Sequence, residues 1–270
     1  MSLLSSKRPD TPPPLGDPAL LAALATASAA LARLDAATAL HPLLPALLHR
    51  TRLDAARRQA AADGHLIDPW HLAATLEGLP LRAMRDSEWV RDAGALQDAA
   101  RLALDYHRWL AAPDADAEEQ VLVALAVLDG QRPYGVPLLD AAWGAWLWLE
   151  RGGTRPPLRA ALVRRWGTVG VLRAPLPITG AAALGPDQPW DPALWVGSFL
   201  RAVTAEAGAA LDLLVEMERR WLAARAAVGR AAPDLARARG GGPACCRPAR
   251  LGHDAGRRAG DVGEGGLRHP

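Results

Sequence analysis

The residues with the clearest chemical potential lie in the turn Gly152-Gly153-Thr154-Arg155, which joins a tryptophan-rich apolar segment (LDAAWGAWLWLE) to a segment opening on Pro156-Pro157. A turn feeding a helix N-terminus aims backbone N–H groups and the positive end of the helix dipole at one spot, which suits an anion. Arg155 and Arg159 add positive charge there. These features predict a phosphate-type site without a nucleophile, base or metal ligand beside it. His65 and His71 are six residues apart with no third ligand near them, a poor metal site, and read as surface or cap histidines. Asp105, Tyr106 and His107 are consecutive, so on a helix they diverge by about 100° per residue and form no dyad. No metal and no cofactor is expected.

The elements that hold such a turn are helical. Half of the 270 residues are hydrophobic, with Ala and Leu dominant, ten Trp, two Tyr and one Phe, a helical rather than a β composition. No stretch alternates with period two long enough for a strand. Net charge is +2, which argues neither for nor against nucleic acid. The two cysteines, Cys245 and Cys246, are adjacent and supply no disulfide framework or zinc cluster. The N-terminus lacks the apolar core of a signal peptide, and no apolar run free of charges and prolines is long enough for a bilayer; a cytoplasmic protein without a membrane contact is the expectation.

Residues 1–16 read as a disordered lead. Asp17-Pro18 then starts a helix to about Leu40. His41-Pro42 starts a second, ending near Asp63-Gly64, with Leu43, Leu44, Leu47 and Leu48 on one side and Arg50, Arg52, Arg57 and Arg58 on another. Asp68-Pro69 caps a short third helix. A fourth runs from Ser87 to Trp109 with Leu96, Ala99, Ala100, Ala103 and His107 inward, and a fifth from Asp114 to Asp129 with Val121, Leu122, Ala124, Leu125 and Leu128 inward. After the turn a helix reaches about Leu172, a Pro/Gly-rich loop comes next, and Asp191-Pro192 opens the longest helix, to about Val228. Trp143, Trp146, Trp148, Trp166 and Trp195 read as packing residues whose indole N–H groups find local partners, and Glu216, Glu218, Arg219 and Arg220 as a solvated face. The expected fold is therefore all-α: a helical domain over 17–229 and a disordered tail over 230–270.

That tail has two readings. The last forty residues hold nine Gly and four residues from Leu, Ile, Val, Met and Phe, the composition of a low-complexity linker. Written as degenerate codons and read one nucleotide later, RLGHDAGRRAGDVGEGG becomes compatible with V-S-A-T-T-L-A-A-A-L-G-M-S-V-K. This is a small-residue helix, a Gly turn and a second helix, the pattern of a helix-turn-helix. On that reading the tail is an out-of-frame remnant of a DNA-binding segment.

The segment Leu147 to Arg155, LWLERGGTR, resembles the Fic-family motif HPFxDGNGR, and PLRAALVRRWGTVGVLRAPLPITG with PWDPALWVGSFLRAVTAEA resembles that family's continuation beyond the motif. With the shifted-frame helix-turn-helix, the chain is also similar to an alphaproteobacterial family in which a helical domain of unknown function precedes a DNA-binding domain. The resemblance covers about residues 50–225 and implies a Fic-like bundle. In active Fic proteins the motif histidine is the base, the acid holds magnesium and the loop cradles nucleotide phosphates. Here those positions carry Leu147, Arg151 and Gly153, and a leucine cannot accept a proton. The resemblance leaves a non-catalytic anion or nucleotide pocket at Gly152, Gly153, Thr154, Arg155 and Arg159, or a plain interhelical turn with solvated arginines. QAAADGHLI resembles the inhibitory Fic motif Ser/Thr-x-x-x-Glu-Gly, with Asp63 and Gly64 in the Glu-Gly positions. Asp-Gly is also an ordinary C-cap and turn; the resemblance adds an Asp63–Arg155 ion pair. The expectation is a non-enzymatic regulator derived from a DNA-binding transcription factor, with DNA as partner through the intact-frame segment and room for a protein partner or homo-oligomer. Two other readings stand beside it, a divergent nucleotidyl or phosphoryl transferase and an antitoxin-like binder.

Overall fold

A computed structural model describes residues 11–79, 93–130, 132–184 and 191–240, with the side chains of all but 93 and 229–240. Among the described residues the fold is all-α: α1 (Pro18–Thr38), α2 (Leu44–Ala62), α3 (Pro69–Leu76), α4 (Ala93–Ala111), α5 (Ala115–Gly130), α6 (Pro137–Glu150), α7 (Arg155–Thr168) and α8 (Pro192–Gly240). The chain divides into two compact units, Met1–Leu222 and Ala223–Pro270. The first holds α1 to α7 and α8 as far as Leu222. The described part of the second is the continuing helical stretch 223–240.

Three helices start alike because Asp-Pro does two jobs at once. The carboxylate takes an otherwise orphaned N–H, and the proline, which has none to lose, opens the first turn. Asp17 accepts from Ala19 N–H at 2.9 Å, Asp68 from Trp70 N–H at 2.8 Å, and Asp191 from Ala193 and Leu194 N–H at 2.9 and 3.0 Å. Leu96, Ala99, Ala100, Ala103 and His107 of α4 are all buried, the first four in a cluster with Ala56 and Ala60 of α2 and Leu72 of α3. A larger core gathers α1, α5, α6, α7 and α8. α6 lies at its centre, with every residue from Leu138 to Leu147 buried. Its glycine lets α5 come close: a Cβ on Gly144 would lie 3.0 Å from the Leu128 Cα.

The tryptophans pack as the sequence implies. Trp143 and Trp146 stack at 5.0 Å between centroids, Trp195 Nε1 donates to Ala142 O at 2.7 Å and Trp166 Nε1 to Ile178 O at 2.6 Å. Trp146 is an exception, since its Nε1 is buried without a partner among the described residues.

Several boundaries and faces differ from the sequence reading. α7 stops at Thr168 rather than Leu172 because Gly170 takes φ +71° and Val171 N–H returns to Trp166 O at 2.8 Å, closing the helix. α8 runs past Val228 to Gly240, so the first residues of the expected disordered tail are helical; Ala, Arg and Leu there are strong helix formers. Leu122 is 52% exposed, since the buried stripe of α5 is Ala117, Val121, Ala124 and Leu128, with Leu125 partly buried against the core. His71 is buried, not a surface residue. The expected start of α4 at Ser87 lies outside the described residues. α1 is, by length and composition, apolar enough to cross a membrane, although it carries Arg33 and Asp35 and buries Leu20, Ala27, Ala30, Leu31, Leu34 and Thr38.

Gly144→Val tests the α5–α6 approach. Overpacking against helix backbone that cannot rotate away should cost about 1–3 kcal/mol, read as a lower urea midpoint; an unchanged midpoint would mean the helices can part freely.

Candidate functional site

The turn between α6 and α7 is built by closing one helix before the next begins. Arg151 is the C-cap of α6, and Gly152 comes after it at φ +81°. Gly152 N–H donates to Leu149 O at 3.0 Å and Gly153 N–H to Trp148 O at 2.9 Å. This is the paired closure of a Schellman motif. Trp148 holds the turn from its other end as well, since its Nε1 donates to Thr154 O at 2.7 Å. A Cβ on Gly153 would sit 2.2 Å from the Trp148 ring, so the second glycine is required by contact.

The backbone cradle expected for an anion is therefore not formed. Both glycine N–H groups are committed to α6. Of the first four residues of α7, Arg155, Pro156, Pro157 and Leu158, the two prolines have no N–H to offer. Thr154 is the N-cap but makes no side-chain cap bond. The polar groups that face outward at this end of α7 are side chains.

Those side chains converge from three helices. Asp63 is the C-cap of α2, and Gly64 at φ +86° turns the chain away after it. Arg155 Nη1 donates to Asp63 Oδ1 at 3.2 Å, and Tyr106 of α4 donates its hydroxyl to Asp63 Oδ2 at 2.6 Å. The ordinary C-cap and the ion pair with Arg155 are thus both present in one residue. Burial, then the hydrogen bond to Asp63, pushes the Tyr106 phenol up to about 12. A cavity of about 330 Å³ opens here, lined among others by Gln59, Asp63, Tyr106, Thr154, Arg155 and Pro156.

Arg159, one turn further along α7, is 2% exposed, and its Nε, Nη1 and Nη2 have no hydrogen-bond partner among the described residues. It is not the solvated arginine of a plain turn. Burial lowers its pKa to about 10, opposed by Glu206 and Asp63, so it stays a cation at neutral pH. Glu206 of α8 is itself buried and accepts from Thr179, Gly180 and Ala181 N–H at 2.6, 3.0 and 2.6 Å. Desolvation raises its pKa and these three donors oppose the rise. The loop read as a plain connector is thereby fixed into the core.

Leu147, at the position the resemblance gives to a base, is buried in the core, and Arg151 is exposed at the end of α6. Asp105 turns to Arg108, Tyr106 to Asp63 and His107 to the ring of His49, so the three-residue run diverges as expected. No group of three or more His, Cys, Asp or Glu among the described residues is placed to hold a metal ion. Sequence reasoning missed Tyr106 and Glu206 as site residues. Each carried a signal: Tyr106 is one of two tyrosines and borders the buried stripe of α4, and Glu206 is the one acid on the buried face formed by Ala202, Val203, Ala207 and Ala210.

Two measurements check this geometry. Tyr106 and Tyr134, the only tyrosines, are both pushed up to about 12, so phenolate absorbance should rise only in strong alkali. Asp63→Ala should bring one of the two phenols to lower pH, and an unchanged titration would remove the Asp63 contact. Because the folded pKa lies above the unfolded value of about 10, the stability this phenol contributes is complete below pH 10 and is lost as pH rises toward 12. Arg159→Met should leave the unfolding free energy, read by urea denaturation, unchanged or raise it by about 1–4 kcal/mol at most, since it exchanges an unpaired buried cation for apolar packing. A clear loss of stability would show that the guanidinium has a partner.

No protein-family model, curated protein or solved structure matches the chain, so the reading of this site rests on its own residues.

Proposed function

We propose that this chain is a non-catalytic regulatory protein, derived from a helix-turn-helix transcription regulator, whose Fic-like helical unit senses a small anion and whose DNA-reading segment lies in the shifted frame of its tail. The observation that carries the reading is the make-up of the cavity at Arg155. Arg155 lines it, and one turn further along α7, outside the lining, the buried Arg159 has no hydrogen-bond partner among the described residues. Among the described residues, the one carboxylate lining the space has both oxygens engaged, by Arg155 and Tyr106, and no histidine or cysteine lines it. Such a site can hold negative charge but offers no free base to take a proton.

In this reading Asp63 is the internal counter-ion of Arg155, and an incoming anion competes with it. Differential affinity for the states with the Asp63–Arg155 pair closed and open is what lets a ligand shift their populations. A buried, unpaired cation adds little to stability, and its retention fits a binding role.

Two assays test the proposal. A protein with the frame restored across codons 225–270 should shift duplex DNA with sequence selectivity and steep salt dependence; no selective shift would remove the DNA-binding claim. Incubated with labelled ATP and a cell lysate, the chain should transfer no label. Transfer that disappears in Arg155→Ala would replace this reading with a nucleotidyl or phosphoryl transferase.

A further inference from the structure

A second hollow, of about 550 Å³, opens between α2, α3 and α8 and shares no lining residue with the cavity at Arg155. Its construction comes from the spacing on α2. Arg50, Leu53, Asp54 and Arg57 recur at helical intervals and so share one face. α3 adds Trp70 and Leu72, and α8 adds Ala209 and Leu213. The floor is apolar, with Leu72 fully buried, whereas Trp70 at the entrance to α3 is 75% exposed.

The rim is charged with one sign in excess. Arg50, Arg57 and Arg58 line it against the single carboxylate of Asp54. Arg57 donates to Asp54 at 3.0 Å, and Arg58 also pairs with it. Arg50 makes no ion pair among the described residues. Two guanidinium charges are thus left over beside an apolar hollow, whose volume falls in the range of about 300–1,000 Å³ typical of small-molecule sites.

We propose that this hollow binds a small amphipathic organic anion, an acyl or aryl carboxylate, with its apolar body against Trp70, Leu53 and Leu213 and its head group on Arg50 and Arg57. Charge complementarity selects this occupant. Inorganic phosphate would neutralise the rim but leave the apolar walls wet. A second copy docking the same patch in two-fold fashion would set the arginines of both chains face to face. A neutral or cationic apolar molecule would leave the rim uncompensated or repelled. Exposed aromatic surface beside a concave apolar floor is the usual mark of such a binding site.

The test is calorimetric titration of the full chain with dodecanoate and with dodecyltrimethylammonium, both below their micellar concentrations. Dodecanoate should bind saturably, one per chain, at least about tenfold more tightly than the cation with the same tail. Arg50→Glu should weaken dodecanoate at least about tenfold, and Trp70→Ala should weaken it about threefold or more. Both replaced side chains are exposed, so helical content by circular dichroism should not change. Absence of saturable binding, equal affinity for the two amphiphiles, or affinity untouched by both variants would overturn the proposal. So would binding of an acidic amphipathic peptide by a protein that ignores dodecanoate.

Discussion

Helix α7 passes through the core carrying four arginines, and much of the fold answers to that constraint. Nine of its residues are buried, Arg159 and Arg165 among them. A guanidinium cannot shed its proton to escape burial, and an unpaired ion in the interior costs several kcal/mol. The surrounding elements therefore supply oxygen. Glu118 of α5 takes Arg164 with both its oxygens, and the backbone carbonyl of Leu128 takes Arg165, with Asp129 at 3.6 Å. Asp63 takes Arg155 from the end of α2. Each pairing fixes the rotation of α7 and, with it, which residues face the Trp143–Trp146 stack and which face α2 and α4.

The turn before α7 shows how the same backbone groups cannot serve two purposes. A Gly-Gly-Thr-Arg turn before a helix suggests a nest of N–H donors. Yet an α6 that ends abruptly against Trp148 needs two donors for its own last carbonyls, and the glycines provide them. The prolines that make α7 start cleanly remove two more. Charge at this turn is consequently carried by long side chains, which can trade partners as a rigid backbone nest cannot. Tyr106 steadies the carboxylate from the far side, so Asp63 keeps a partner even if Arg155 turns elsewhere.

What was legible in the sequence was local. Asp17, Asp68 and Asp191 announce helix starts because cap and proline act within three residues. The α4 stripe is legible because its periodicity is its burial. The Asp63–Arg155 contact spans 92 positions and came only from the resemblance of two motifs, not from any local rule. Leu122 shows the limit of periodicity, since an apolar residue beside a buried stripe is placed inside or outside by the width of the neighbouring helix. The commitment of the Gly152 and Gly153 N–H groups was hidden because sequence shows donors and not their acceptors. α8 was cut short at Val228 because falling apolar content reads as an ending, whereas an Ala- and Arg-rich stretch keeps helical propensity without a core.

Arg159 and Glu206 pose the remaining physical question, and they answer it together. Glu206 is buried yet spends both oxygens on the backbone of Thr179, Gly180 and Ala181. Its job is to replace water for three N–H groups in a loop that must enter the core, and Gly180, at φ +65° and 2.9 Å from Phe199 by an added Cβ, permits the approach. That leaves the carboxylate near enough to favour the charge on Arg159 but with no hydrogen bond for it. The field of Glu206 and Asp63 thus makes a buried guanidinium tolerable without satisfying it, and its five N–H donors have no acceptor among the described residues. A core built for stability alone would place a methionine there. A core that keeps an arginine in this balance holds a buried positive charge one turn from Arg155, tolerated by the field of two carboxylates rather than bonded to either.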